Sequence, residues 1–215
     1  MELSFDRQAH LPPEGVETLA LAADDLRIAP RLALTLRAAK LGSPSGEFLC
    51  ILRDISATGI KVRLFHALPA GAEIALELGN GDRHPLEPVW EREGHAGFRF
   101  TEGVVDVAAL LDEAAPFPKR QIRLRLDLLV QLSSGGSSQT ALLRDISQQG
   151  ALIESTPQLA LGQQLRMEGV GLPALEAKIR WRRMAAHGLV FEQTFRLDEL
   201  ARIAAAVQFA KPDPA

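Results

Sequence analysis

The sequence is poor in the residues that mark several classes of protein. Its 215 residues include one cysteine, two tryptophans and no tyrosine, and aromatic residues make up 5% of the chain. A single cysteine cannot form an intramolecular disulfide, and the position of Cys50 in the apolar run FLCIL predicts a buried side chain. The scarcity of aromatic rings argues against single-stranded nucleic-acid binding, in which bases stack on exposed rings.

An excess of basic charge and long hydrophobic runs are also missing. The formal net charge is −3, whereas proteins that grip nucleic-acid phosphates usually carry a basic excess. No apolar run approaches the roughly 18 residues of a membrane helix. The beginning, MELSFDRQAHLPPEG, lacks the basic and then apolar pattern of a signal peptide. We therefore expect a globular protein of the reducing cytoplasm that binds neither DNA nor RNA.

Recognisable catalytic and metal-binding sets are absent from the sequence as well. None of the five histidines pairs with cysteine or carboxylates at metal-ligand spacing, and we predict that His95 and His187 lie in loops. The stretch GSPSG at 42–46 has proline where a nucleophile elbow needs serine. We therefore predict no catalytic activity, no cofactor and no metal.

What the chain does contain is an internal repeat. The residue pairs that lie 91 positions apart are Asp54 and Asp145, Trp90 and Trp181, Gly97 and Gly188, and Phe100 and Phe191. Arg31 and Arg123 lie 92 positions apart, which we attribute to one residue of difference in loop length. We predict an N-terminal arm over residues 1–19 and two homologous units over 20–115 and 116–215.

Each unit reads as six short strands followed by one helix. Apolar and polar residues alternate with the period of two that is typical of half-buried strands. The segments are 31–38, 47–55, 59–65, 72–78, 86–93 and 96–102 in the first unit, and 123–132, 140–146, 150–155, 164–170, 175–184 and 188–193 in the second. Helical spacing of apolar residues follows at 103–115 and 196–210. The predicted fold is mainly β: two tandem six-stranded antiparallel barrels, each followed by a C-terminal α-helix.

Three smaller features complete this prediction. SSGGSS at 133–138 has the composition of a flexible loop between the first two strands of the second unit. Trp90 and Trp181 are expected to fill the cores of their barrels, because tryptophan buries a large area. The basic residues around Trp181 fit either a solvated strand face or a surface for an anion or a partner, with Arg180 and Arg182 on one face and Arg183 on the other.

An arginine pair precedes the first strand of the first unit. Arg27 and Arg31 are four positions apart, and Pro30 between them favours an extended segment over a helix. A guanidinium offers a planar fork of donors that suits phosphate and the guanine edge. The turn D-x-S-x-x-G, from Asp54 to Gly59, is by itself a capped hairpin turn in which glycine supplies a positive φ.

Taken together, R-x-x-x-R, D-x-S-x-x-G, a tryptophan and a Gly-x-x-Phe strand resemble the PilZ domain, in two tandem copies that cover nearly the whole chain. The resemblance implies six-stranded barrels that bind the second messenger cyclic di-GMP. It implies that Arg27 and Arg31 clamp phosphates and guanine, and that Asp54 and Ser56 bond the guanine edge. Gly59 would let the turn close tightly.

The second unit departs from this pattern in its arm. Lys119 stands at the first arginine position, with Arg120 next to it. Lysine keeps the charge but loses the fork of donors, so the second site is weaker, rescued by Arg120, or not a site. The remaining positions of the pattern are intact, namely Arg123, Asp145, Ser147 and Gly150.

These observations favour a cyclic di-GMP receptor or adaptor that binds its ligand mainly in the first unit and acts on a protein effector. The alternative is a PilZ-like interaction module that no longer binds nucleotide in one or both units.

Overall fold

The computed structural model describes residues 32–68, 73–78, 81–111, 121–156 and 158–210, with the backbone alone for 32–36. These residues belong to one compact unit, residues 31–215. In chain order the elements of the first half are β1 (Leu32–Ser43), β2 (Gly46–Ser56), β3 (Gly59–Leu64), β4 (Ile74–Glu77), β5 (Arg83–Arg92), β6 (His95–Phe100) and α1 (Val107–Leu111). Those of the second half are β7 (Leu124–Ser134), β8 (Ser137–Ile146), β9 (Gly150–Glu154), β10 (Gln164–Gly169), β11 (Leu172–Arg183), β12 (Ala186–Phe191) and α2 (Leu197–Phe209).

The strands form two closed antiparallel barrels of the same topology. The strand order is β1-β2-β3-β6-β5-β4 in the first barrel and β7-β8-β9-β12-β11-β10 in the second. Inward-facing residues of each barrel form its own apolar core, and Cys50 is buried in the first, as predicted. The predicted fold class and all twelve predicted strands are therefore confirmed, because period-two alternation identifies strands that have one buried face.

β-Bulges recur at equivalent positions of the two barrels. β2 bulges between Leu52 and Asp54, and β8 bulges 91 positions later, between Leu143 and Asp145. The bulge of the first strand spans Ala33 to Arg37 in β1 but only Arg125 to Leu128 in β7. The bulge of β1 thus has one residue more than that of β7, and an extra residue can be left unpaired in a bulge. The repeat spacing changes from 92 to 91 across this bulge, and not in a loop as predicted.

The connection from β7 to β8 corrects a second prediction. The segment predicted as a flexible loop is a tight hairpin, in which β7 ends at Ser134 and β8 begins at Ser137. Gly135 and Gly136 have φ of 56° and 81°. A two-residue hairpin turn of this kind needs positive φ at both positions, so the glycine pair specifies a turn here.

The two helices differ in length and in what they contact. α1 begins at Val107 and not at 103 as predicted, because the carboxylate of Asp106 accepts from the main-chain N–H groups of Ala108 and Ala109 and caps the helix there. Its predicted end at 112–115 lies outside the described residues. α2 agrees with its prediction, and its buried residues Leu200, Ala204 and Val207 join the core of the second barrel.

The end of α2 also contacts the first barrel. The side-chain amide of Gln208 accepts from the main-chain N–H of Glu47 at 2.5 Å and donates to the carbonyl oxygen of the same residue at 2.6 Å. Next to it, the rings of Phe48 and Phe209 lie 5.2 Å apart. Leu49, also on β2, belongs to the apolar core of the second barrel. Along the described part of the chain, no helix has the length and apolarity needed to cross a membrane.

Candidate functional site

The two D-x-S-x-x-G turns occupy equivalent places, joining β2 to β3 and β8 to β9. The hydroxyl of Ser56 donates to the carbonyl oxygen of Gly59 at 3.2 Å, and that of Ser147 donates to the carbonyl oxygen of Gly150 at 3.1 Å. Both serines are buried. Each hydroxyl therefore closes its own turn, and its oxygen keeps lone pairs that can accept from a ligand.

The glycine of each turn is required for a different reason than the one predicted. Neither Gly59 nor Gly150 has a positive φ. A Cβ on Gly59 would lie 2.3 Å from the carbonyl oxygen of Phe98, and a Cβ on Gly150 would lie 2.1 Å from that of Leu189. Glycine is therefore needed because the neighbouring strand passes too close for any side chain.

In the second barrel the arm and the turn are joined by an ion pair. Nη1 of Arg123 lies 2.5 Å from Oδ1 of Asp145, whose side chain is only 17% exposed. The main-chain oxygen of Arg123 accepts from Nζ of Lys40, a residue of the first barrel, at 3.4 Å. The turn carboxylate thus holds the guanidinium of Arg123, and the first barrel holds its backbone.

A cavity of about 770 Å³ opens beside this ion pair. Its lining comprises Lys40, Glu77, Leu78 and Gly81 from the first barrel, and Gln121, Ile122, Arg123, Ser147, Gln149, Gly150, Arg180, Trp181, Leu189 and Val190 from the second. The wall combines cations, amides and apolar surface, which is the composition that binds a polar ligand with aromatic parts.

The tryptophans correct the prediction that they fill the cores. A Cβ on Gly97 would lie 2.1 Å from Nε1 of Trp90, and a Cβ on Gly188 would lie 2.0 Å from Nε1 of Trp181. Each indole therefore lies across a glycine of the adjacent strand. Trp181 is 45% exposed. Bulges at Pro88–Trp90 and at Ile179–Trp181 interrupt the alternation that would otherwise turn these side chains inward.

The bulge in β11 also affects the basic residues beside Trp181. The predicted division of Arg180, Arg182 and Arg183 between two faces assumes unbroken alternation, but all three side chains are exposed. Arg180 lines the cavity, whereas Arg182 donates to the carbonyl oxygen of Leu159 at 3.3 Å.

His187 does not lie in a loop as predicted. It is fully buried in β12, where its Nε2 accepts from the main-chain N–H of Leu159 at 3.2 Å and its Nδ1 lies 2.9 Å from the carbonyl oxygen of Ala185. His95 is the first residue of β6. In the described part of the chain no three histidine, cysteine or carboxylate residues are grouped to hold a metal ion.

Several predicted site residues lie outside the described residues. They are Arg27 and Arg31 of the first arm and Lys119 and Arg120 of the second, together with the predicted arm over 1–19. Asp54, Ser56 and Gly59 are described, at the positions of the first barrel that match Asp145, Ser147 and Gly150. The predicted clamp of the first arm on its turn therefore stays a prediction.

Sequence reasoning missed a charged cluster between the barrels. The carboxylate of Glu47 lies 3.2 Å from Nζ of Lys40, accepts from Nε of Arg125 at 2.8 Å and from the main-chain N–H of Arg125 at 2.9 Å. Lys40 also pairs with Glu77 at 2.8 Å. Burial by itself would raise the pKa of Glu47, but the hydrogen bonds from Arg125 and the charge of Lys40 outweigh it and lower that pKa. The sequence contained one signal for this cluster, namely that the charged residues Lys40 and Glu47 lie within or beside the apolar runs AAKL and EFLCIL.

One family model and several solved structures match parts of the chain. Residues 118–209 match the family model of the PilZ domain. The PlzA protein of Borreliella burgdorferi, solved in complex with c-di-GMP, is 15% identical with a TM-score of 0.33, and the match covers 81% of this chain and 93% of that one. The Bacillus subtilis inhibitor of motility MotI/DgrA is 13% identical with a TM-score of 0.33, covering 83% and 99%.

YcgR of Escherichia coli, also in complex with c-di-GMP, is 11% identical with a TM-score of 0.30, covering 81% of this chain and 84% of that one. No curated protein matches the chain. Because these identities and TM-scores are low, nothing about the ligand of this chain follows from the structural matches. The family match spans the second barrel and its helix, so this part of the chain is similar to the PilZ domain.

Proposed function

We propose that the protein is a cyclic di-GMP receptor whose principal site is the cavity beside Arg123 and the β8–β9 turn. The observation that carries this proposal is the meeting of three features at one place in the matched PilZ domain. Arg123 is paired with Asp145, Ser147 and Gly150 form the turn, and all but Asp145 line the cavity of about 770 Å³. That volume falls within the range of about 300–1,000 Å³ that is typical of small-molecule sites.

The chemistry of the cavity wall suits this ligand. Cyclic di-GMP has two phosphates and two guanines, so its site needs cations, acceptors for guanine N–H groups and apolar surface for the bases. Arg123 supplies a fork of donors, and Asp145 supplies a carboxylate acceptor next to it. Gln149 and Trp181 add an amide and an aromatic face.

For the first barrel, the sequence predicts a second candidate site that would combine Asp54, Ser56 and Gly59 with Arg27 and Arg31 of the arm. The intact arginine pair favours it on sequence alone, and Lys119 weighs against the second barrel. The ion pair and the cavity support the opposite ranking. Arg120 remains available to compensate for Lys119.

Calorimetric titration of cyclic di-GMP tests both sites. Arg123→Ala should weaken binding by about 1.5–3 kcal/mol, because a charge-assisted hydrogen bond to phosphate is lost. Arg144→Ala is the matched control, since Arg144 precedes Asp145 on the same strand but pairs with Asp127 and Glu154, away from the cavity lining.

Loss of binding in Arg31→Ala with full binding in Arg123→Ala would reverse the ranking of the two barrels. Absence of heat in the wild type would overturn the receptor proposal and leave the interaction module. For the output, we propose a protein effector that recognises the liganded arrangement of the two barrels, which requires the ligand to bind one arrangement more tightly than another.

A further inference from the structure

The outer faces of the equivalent strands β5 and β11 carry opposite charges. The two strands share the bulge and the tryptophan that lies on a glycine. Around that tryptophan, the first barrel has Glu87, Val89 and Glu91 where the second barrel has Lys178, Arg180 and Arg182, 91 positions later. Because all six are exposed, the difference changes what each face can bind and not how the barrel folds.

In the first barrel this face is occupied by contacts within the barrel. Glu87 pairs with Arg99 at 2.6 Å. The guanidinium carbon of Arg92 lies 5.0 Å from the centre of the Trp90 ring, a cation–π contact that covers the indole. Glu91 accepts from the main-chain N–H of Leu68 at 3.3 Å. Carboxylates and a covered ring make this face unsuited to an anionic ligand.

In the second barrel the corresponding face is open toward the cavity. Val190 stands where Arg99 stands in the first barrel, so the ion pair on that side is missing, and Val190 lines the cavity together with Trp181. Arg182 occupies the position of Glu91 and repeats its loop contact with reversed polarity, by donating to the carbonyl oxygen of Leu159. Arg182 is therefore held by a contact within its own barrel.

The cations of the cavity wall differ in whether their charge is already used. Lys40 pairs with Glu47 and Glu77, and Arg123 pairs with Asp145. Arg180 forms no hydrogen bond or ion pair with any residue that the structure describes. A phosphate that meets Arg180 gains a charge-assisted bond without breaking an existing pair, whereas the other two cations must share their charge with carboxylates.

We propose that Arg180 is a further ligand-binding residue of the second barrel, and that the outer face of this barrel needs an arginine here, where the first barrel has Val89, to accept an anionic ligand. This inference rests on the proposed receptor function. Arg180 would supply the phosphate contact that Lys119 cannot supply as a bidentate fork.

The test compares Arg180→Val, which installs the residue of the first barrel, with Arg183→Val as the matched control. Arg183 is exposed on the same strand and does not line the cavity. Titration of cyclic di-GMP into Arg180→Val should show about 10- to 100-fold weaker binding, the loss expected for one charge-assisted hydrogen bond. The dependence of the dissociation constant on NaCl should become shallower by about one counterion in the same variant. Arg183→Val should bind as the wild type does.

Arg180→Lys separates charge from geometry, because it should keep the salt dependence while losing the bidentate part of the affinity. Equal affinity of the wild type and Arg180→Val, with binding lost in Arg123→Ala, would overturn this inference and leave the receptor function standing. An equal loss in Arg180→Val and Arg183→Val would also overturn it, since only the general surface charge would then matter. Absence of binding in the wild type would overturn both proposals.

Discussion

Replacing Glu47 with glutamine removes the negative charge that joins the two barrels while it keeps the shape of the side chain. Glu47 accepts two hydrogen bonds from Arg125 and pairs with Lys40, and its side chain is 9% exposed. The amide oxygen of glutamine can keep one of these bonds, but its NH2 group then faces a donor. The cationic side of the cluster thus loses its shared carboxylate.

The expected loss is smaller than that for an isolated buried charge. Lys40 retains Glu77 at 2.8 Å, and the side chain of Arg125 is 72% exposed, so that its guanidinium returns to water at little cost. We expect Glu47→Gln to lower the free energy of unfolding by about 2–3 kcal/mol, below the roughly 3–5 kcal/mol lost when a buried partner is left unpaired. For a chain of this length, that loss lowers Tm by about 5–10 °C.

Differential scanning calorimetry at neutral pH measures this change. Glu87→Gln is the matched control, because Glu87 pairs with Arg99 at 2.6 Å but both side chains are more than half exposed. Such a surface pair contributes about 0–1 kcal/mol, so its loss should barely move Tm. If Glu47→Gln left Tm unchanged, or if both variants lowered it equally, burial of the cluster would not be what makes it stabilising.

Three further outcomes follow from the structure. Burial lowers the pKa of His66, so the unfolded state binds a proton near pH 6.5 that the folded state does not bind. Urea denaturation should therefore show that the free energy of unfolding falls as the pH drops below 6.5. It should fall again below the ordinary pKa of 4.5, because the stabilising charge of Glu47 is then lost. Gly188→Ala should displace the indole of Trp181, change the tryptophan emission and weaken cyclic di-GMP binding in titration. Burial raises the pKa of Cys50 to about 12, so a thiol reagent should react with it only as fast as the protein unfolds.

Period-two alternation was enough to locate every strand, but it contained no signal for the bulges. A bulge adds one unpaired residue without changing the composition of a strand, so the two sides of a bulge look like one continuous pattern in sequence. The error on the tryptophans has this origin. The segments around Trp90 and Trp181 alternate as if the indoles pointed inward, and the bulges instead lay them on Gly97 and Gly188. The equal spacing of both pairs was the only hint that tryptophan and glycine belong together.

The contacts between the barrels could not be predicted from local patterns. Glu47 meets Arg125, which is 78 positions away, and Gln208, which is 161 positions away. The side-chain amide of Gln208 bonds to backbone groups of β2, and every residue type has such groups. The type of the partner residue therefore could not predict this contact. The turns were easier, because Asp, Ser and Gly at fixed spacing have few ways to fold. Even there, the predicted reason for the turn glycines, a positive φ, was wrong. Gly59 and Gly150 are needed because a neighbouring strand passes close to them, and that strand is distant in sequence.

Divergence of the two copies is expected on the outer faces of the barrels. The closed barrels share their strand order and several of their bulges, because changes there would unpair buried backbone groups, which is costly. An exposed strand position carries no such constraint, and most substitutions there change stability by about 0.5 kcal/mol or less. A duplicated barrel can therefore exchange acidic for basic outer residues without refolding. By the same reasoning, Val89→Arg alone should not create a second anion site, because Glu87 and Glu91 flank the new side chain and would pair with it. An anionic ligand would be accepted there only after both carboxylates were also replaced.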